Sequence, residues 1–261
     1  MRIDNSIIDL YLDGKPSSAY AAHWVYSIIA DGQYLFSEPN ASHLTEVKRI
    51  KDRVAEACNS FQFRNSDLVF DIFDGIPAIM EHTSIVLTVG LPAMYDAMVR
   101  EYNGETYVII DLINFSNYIE DGNDFSDLIT NFLSHELIHV LISARYPEED
   151  FDYLEYLNFI SFHEGFAHLL SYKENIAEYQ PDDKYKEKFD TAKSRLIAAL
   201  KEDNPSSREE FKLEANSGRY WDKFASISSM LYLMKHICSL KEIFYRGWAD
   251  YTKRIVNYMW E

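Results

Sequence analysis

Apolar residues recur at helical spacing early in the chain, most regularly over 42–61. There Leu44, Val47, Ile50, Val54 and Cys58 fall on one stripe. Steps of three and four residues keep such side chains on a single helix face. Lys48, Arg49, Lys51 and Arg53 lie between them, interrupted by Asp52, and form a solvated face. The first sixty or so residues are accordingly expected to be helical. The pattern then changes. Segments 67–73 (DLVFDIF) and 84–89 (SIVLTV) are short and rich in β-branched and aromatic residues, which predicts strands. Segments 98–102 and 105–112 flank Asn103-Gly104, the dipeptide that suits a type I′ hairpin turn. From 124 onward the pattern is helical almost to the end, with breaks at Pro147, Pro181, Pro205 and Gly218. Strands gathered between two helical stretches define an α+β protein, mostly helical with a small mixed sheet, rather than an alternating βαβ fold. A single domain over 1–261 is expected, with approximate lobes at 1–116 (helices plus sheet) and 117–261 (helices).

Composition narrows the function classes. At 47% apolar, 261 residues can bury a sizeable core. Lys plus Arg is 25 and Asp plus Glu is 42, so the formal charge is 25 − 42 = −17. That balance argues against a nucleic-acid partner, which requires a basic patch to displace counterions. It argues equally against electrostatic docking on an anionic membrane. Aromatics at 15% and charged residues at 26% do not describe a disordered acidic tail. Cys58 and Cys238 cannot make a disulfide framework and are expected to be small core residues. The opening MRIDNSIIDLYLDG carries acids among its first residues, unlike a secretory signal, and no apolar run approaches the roughly 18 residues of a spanning helix. A soluble, cytoplasmic protein is the expectation.

Chemistry concentrates in 131–143, NFLSHELIHVLIS, with His135, Glu136 and His139 in the pattern His-Glu-x-x-His. At about 100° per residue, His139 lies about 40° from His135 and Glu136 about 60° further round. Both imidazoles therefore face one metal ion, and Glu136 sits where it reaches a metal-bound water without binding the metal. Apolar residues surround this helix, so it is buried, and its polar groups must be paired or coordinated. The alternative is a pair of satisfied core histidines beside a solvated glutamate. A catalytic zinc site takes three protein ligands and leaves one position to water. The next densely apolar helix, 157–171, carries Glu164, 25 residues after His139. Its Gly165 costs about 1 kcal/mol relative to Ala in mid-helix and so requires a reason, such as close approach of the two helices around a shared ion. Glu164 has its own plainer alternative, an ion pair with a nearby base.

His135-Glu136-x-x-His139, followed by Glu164-Gly165-x-Ala167, resembles the gluzincin branch of the zincin metallopeptidases. The resemblance covers roughly 85–171, with a weaker echo around 217–232. It implies a zincin-like fold with the small sheet packed over the active-site helix, and one zinc ion held by His135, His139 and Glu164. It also implies that 105–112 matches the strand before the motif helix, where the family has an edge strand that pairs with an extended peptide substrate. In the implied reaction, a zinc-bound water attacks the peptide carbonyl. Glu136 acts as general base and then delivers the proton to the leaving amine. The oxyanion requires a second donor, which the family often takes from a Tyr or His on a later helix. Tyr220 is the first candidate, beside Arg219, and His236 the next; a packing aromatic is the other reading of Tyr220.

One departure stands out. Several gluzincins place a carboxylate four residues after the ligand glutamate, and this chain has His168 there. His168 holds Glu164, lines the cleft, or fills the core; for a supporting acid, Asp111 and Asp152 are the candidates. Two competing functions remain: a non-catalytic, metal-stabilised interaction protein that keeps the fold, and a ferritin-like di-iron protein built on Glu136-x-x-His139. The second lacks its partner element, because Glu164 and His168 are spaced by four rather than three. Glycine-rich phosphate loops, a Gly-x-Ser-x-Gly elbow and Cys-x-x-Cys pairs are absent from the sequence. Acids are enriched over 120–164, where 11 of 45 residues are Asp or Glu against 42 of 261 in the chain. Asp124 and Asp127 are placed to cap the motif helix, and the cluster at 148–155 to open the next one. Acids that instead rim a cleft would favour a basic peptide or protein substrate.

Overall fold

The computed structural model describes residues 2–29, 33–93, 95–119, 125–172, 175–176 and 182–260. In chain order the elements begin with strand β1 (Arg2–Asp4) and helices α1 (Ser6–Leu12), α2 (Leu44–Asn59), α3 (Ser66–Ile72) and α4 (Ile76–Glu81). Strands β2 (Thr83–Thr88), β3 (Ala97–Tyr102) and β4 (Glu105–Asp111) follow, then α5 (Leu112–Ser116), α6 (Phe125–Ser143) and α7 (Tyr153–Leu170). The rest is α8 (Asp183–Leu200), α9 (Pro205–Asn216), α10 (Phe224–Met234), α11 (Leu240–Arg246) and α12 (Tyr251–Asn257). Apart from β1, the strands are grouped together between helical stretches, as in an α+β protein. Among the described residues no helix is long and apolar enough to cross a membrane.

Two compact units divide the chain: Met1–Gln62 with Gly75–Val140, and Phe63–Asp74 with Leu141–Glu261. The first holds a four-stranded mixed sheet in the order β1-β2-β4-β3. β1, β2 and β4 run parallel, and β3 pairs antiparallel to β4 with Val99 opposite Val108. Every residue of β2 is buried, which fits its run of apolar and β-branched residues between two partners. Asn103 and Gly104 both take positive φ, 52° and 77°, as a type I′ turn demands. α1 packs on β2 and α2, and α2 turns Val47, Ile50, Val54 and Cys58 inward.

In the second unit α10 is central. All eleven of its residues are buried, and it packs against α7, α8, α9 and α12. α7 opens on a complete capping box: Asp152 accepts from Leu154 and Glu155 N–H, and Glu155 accepts from Asp152 N–H. Pro205 stands at the start of α9 behind the N-cap Asn204.

Four local expectations are corrected. Segment 67–73 is mostly helix α3, not a strand. Val69, Ile72 and Phe73 are buried while Phe70 points out, a spacing of three and four rather than two. Segment 105–112 contains the interior strand β4, because the tight turn folds β3 back onto its outer side and makes β3 the edge. The first sixty residues include the short strand β1, and between α1 and α2 only brief 3-10 turns form among the described residues. Cys58 is buried, and burial pushes its thiol up to about 11, but Cys238 is exposed on a turn.

Candidate functional site

α6 carries the His-Glu-x-x-His motif. Leu133, Leu137, Ile138 and Val140 are buried on it, and Phe132 meets Phe115 of α5 edge-on at 4.8 Å, which anchors the helix within the first unit. One turn apart, the half-buried His135 and His139 bring their Nε2 atoms to 3.1 Å, with ring centroids at 4.7 Å. At that distance one imidazole can donate to the other. The same distance matches the bite of a metal: two nitrogens about 2.05 Å from a tetrahedral zinc stand about 3.3 Å apart. Glu136 is 8% exposed, low enough that its charge acts on its neighbours. The Tyr118 phenol is pushed up by burial, by its hydrogen bond to Asp96, and further by the charges of Asp96 and Glu136. Asp127 lies in the first turn of α6; Asp124 lies outside the described residues.

α7 carries Glu164, 6% exposed, in the second unit. Its Oε1 accepts a hydrogen bond from Asn216 Nδ2 at 2.7 Å, and its Oε2 lies 3.5 Å from His168 Nε2. Of the three roles open to His168, holding Glu164 is the one this contact serves. Asn216 is the last residue of α9, and its own Oδ1 accepts from Ser226 Oγ of α10 at 3.1 Å. Asn216 and Ser226 carry no sequence signal: they lie far from the motif and belong to no recognisable pattern. Glu164 and His168, both on α7, are donors that could take part in holding a metal ion. Glu164 is one of the sequence-derived ligands and His168 is not.

Gly165 has a different reason from the one its sequence context suggests. A Cβ there would stand 1.7 Å from Ser229 Oγ and 2.5 Å from Ser229 Cβ. The close approach is therefore to α10, within the second unit. Tyr220 meets the His168 ring edge-on at 5.3 Å, while its hydroxyl reaches Met230 Sδ at 3.3 Å. Its residue surface is 39% exposed, so it remains open to a further partner. His236 packs tilted against Tyr232 at 4.3 Å and edge-on to Tyr258 at 4.9 Å, with Nδ1 2.7 Å from Tyr232 O. The proposed supporting acids are both helix caps. Asp152 caps α7, and the fully buried Asp111 accepts from Leu91, Ile113 and Asn114 N–H at 2.8 to 2.9 Å, capping α5. Burial holds the Asp111 carboxyl up to about 7, against the lowering effect of those three donors.

No protein-family model, curated protein or solved structure matches the chain.

Proposed function

We propose that the protein is a zinc-dependent peptidase of zincin type, with His135, His139 and Glu164 as metal ligands and Glu136 as general base. The observation that carries this reading is the 3.1 Å separation of the His135 and His139 Nε2 atoms on one face of α6. That is the geometry of two imidazoles sharing a tetrahedral ion. Glu164 supplies the anionic third donor, already oriented by Asn216. When bound, zinc polarises a scissile carbonyl and lowers the pKa of water toward 7.

The protein groups do the rest. Glu136 adjoins His135 in sequence and is nearly buried. It takes the proton from the attacking water and passes it to the leaving amine, which would otherwise depart as an anion. The Tyr220 hydroxyl donates to the oxyanion of the tetrahedral intermediate. Strand β3, at an edge of the sheet, is where an extended peptide would add as a further strand.

One observation favours a second reading. His168 Nε2 lies 3.5 Å from Glu164 Oε2, so it stands ready as a fourth donor. A site closed by four protein ligands is structural, and the protein would then be a metal-stabilised interaction module. Glu136→Gln separates the two. In a peptidase the variant keeps a full equivalent of zinc and loses peptide hydrolysis by about two or more orders of magnitude. Hydrolysis that survives the substitution rules out Glu136 as base. Zinc content far below one equivalent, unaltered by His135→Ala, ends both metal readings.

A further inference from the structure

Within the second unit, the hydrogen bonds around Glu164 show more organisation than a lone buried carboxylate needs. We propose that Asn216 is a positioning residue that fixes the Glu164 carboxylate for metal binding, with Ser226 locking the Asn216 amide. The proposal builds on the zinc site above and extends it to residues that never touch the ion.

Three observations support it. Asn216 Nδ2 donates to Glu164 Oε1 at 2.7 Å, which occupies one carboxylate oxygen and directs the other away from Asn216. A side-chain amide can present either its oxygen or its NH2 group, and only the second can bind a carboxylate. The carboxylate therefore turns the NH2 group toward Glu164, and Ser226 Oγ, a hydroxyl able to donate or accept, holds the other end by donating to Asn216 Oδ1 at 3.1 Å. The backbone beneath is equally fixed. Gly165, next to Glu164, lies against Ser229 of α10, one turn beyond Ser226, and Ser229 Oγ in turn lies 2.7 Å from Tyr251 OH. α7, α9 and α10 are thus tied together at the residue that supplies the third ligand. Partners of this kind typically change metal affinity tenfold to a hundredfold when removed, because an unfixed ligand must be ordered on binding.

The test uses the full chain, stripped of metal and titrated with zinc against a chromophoric chelator. Wild type, Asn216→Ala, Ser226→Ala and Glu164→Gln are compared. The thermal midpoint of each metal-free protein is measured alongside, with the visible spectrum of each cobalt(II)-loaded form. Asn216→Ala is expected to weaken zinc about tenfold to a hundredfold and to shift the cobalt bands, which report ligand geometry. Ser226→Ala, which leaves Glu164 and Asn216 in place, is expected to weaken zinc about threefold to tenfold. The metal-free midpoints of both should stay near that of wild type. Unchanged affinity and spectra in both variants overturn the positioning role, as do losses that merely follow a fall in metal-free stability. If Asn216→Ala does not fold, Ser226→Ala decides alone. Wild type that binds no zinc, or binds it equally well in Glu164→Gln, refutes the metal site itself and takes the positioning role with it. Wild type that binds through Glu164, with Asn216→Ala indistinguishable from it, refutes the positioning role alone.

Discussion

Asp111 shows how a single buried carboxylate sets a pH dependence for the fold. It accepts three backbone N–H groups, yet burial outweighs them and holds its carboxyl up to about 7. In the unfolded chain the same group titrates near its usual value of about 3.9. The native state therefore binds the proton more tightly, and this group's contribution is fully present below about pH 4 and lost as pH rises through 7. The wild-type unfolding free energy from urea titrations is expected to fall between pH 4 and 7 more steeply than that of Asp111→Asn, by an amount on the order of a few kcal/mol. Parallel pH profiles for the two proteins refute the assignment. Asp111→Asn keeps an oxygen for the Ile113 and Asn114 N–H groups, so the α5 cap survives the test. Residues differ in how much of this was visible beforehand. His135 and His139 are legible because their chemistry depends on a spacing of four, which the sequence displays directly. Asn216 is not, because its role comes from a hydrogen bond to Glu164 across 52 positions. His168 falls between: the sequence marks it as unusual at its position, and its contact with Glu164 chooses among its roles.

At the scale of elements, the close approach of α7 and α10 gives the sharpest prediction. Gly165→Ala gains about 1 kcal/mol of helix propensity. It also drives a methyl to 1.7 Å from Ser229 Oγ and 2.5 Å from Ser229 Cβ, which no rotation of Ser229 relieves. Overpacking of this kind costs about 1–3 kcal/mol or more, so the net effect is a lower thermal midpoint, by roughly 5 °C. Adding Ser229→Gly opens the space and should recover part of the loss. It cannot recover all, because the partner of the Tyr251 hydroxyl goes with it. A midpoint unchanged in Gly165→Ala would mean that the helices can move apart freely. The glycine itself is conspicuous in the sequence, but the helix it faces is not, since helices pair by tertiary contact rather than by local pattern. Local chemistry was legible where it is self-contained. Asn103-Gly104 specifies its turn, and Asp152 with Glu155 specifies the start of α7. Segment 67–73 is ambiguous in sequence because Leu68, Val69, Phe70, Ile72 and Phe73 supply apolar residues for either period. Burial of Val69, Ile72 and Phe73, with α3 packed on α11, decides for the helix. Strand β1 leaves no sequence signal because three residues show no period, and its pairing partner Ser84–Val86 lies 82 positions away.

For the whole molecule, the general α+β class was legible because strand-like and helix-like segments are grouped along the chain, and the mixed sheet beside a predominantly helical remainder follows from that grouping. Charge acts at the same scale. The chain carries −17 overall, and its acids are concentrated over 120–164, a segment with Arg145 as its single Lys or Arg. Some of those acids are occupied by local tasks: Asp152 and Glu155 form the capping box, and Glu136 and Glu164 serve the proposed site. Glu148, Glu149 and Asp150 are exposed and have no such task in the proposed site. Exposed acids within a Debye length of one another raise the local concentration of cations, and this attraction weakens as salt shortens that length from about 10 Å at 0.1 M toward about 3 Å at 1 M. If the proposed peptidase takes basic substrates, kcat/KM on a Lys-rich peptide should fall severalfold between roughly 0.02 and 0.5 M NaCl. A neutral peptide with the same scissile residues should change little. Triple replacement of Glu148, Glu149 and Asp150 by Gln, Gln and Asn should flatten the salt dependence while leaving the neutral peptide unaffected, because none of the three lies in the proposed catalytic machinery. Equal salt responses for the two peptides would show that the charge of this segment serves helix capping and solubility rather than substrate choice.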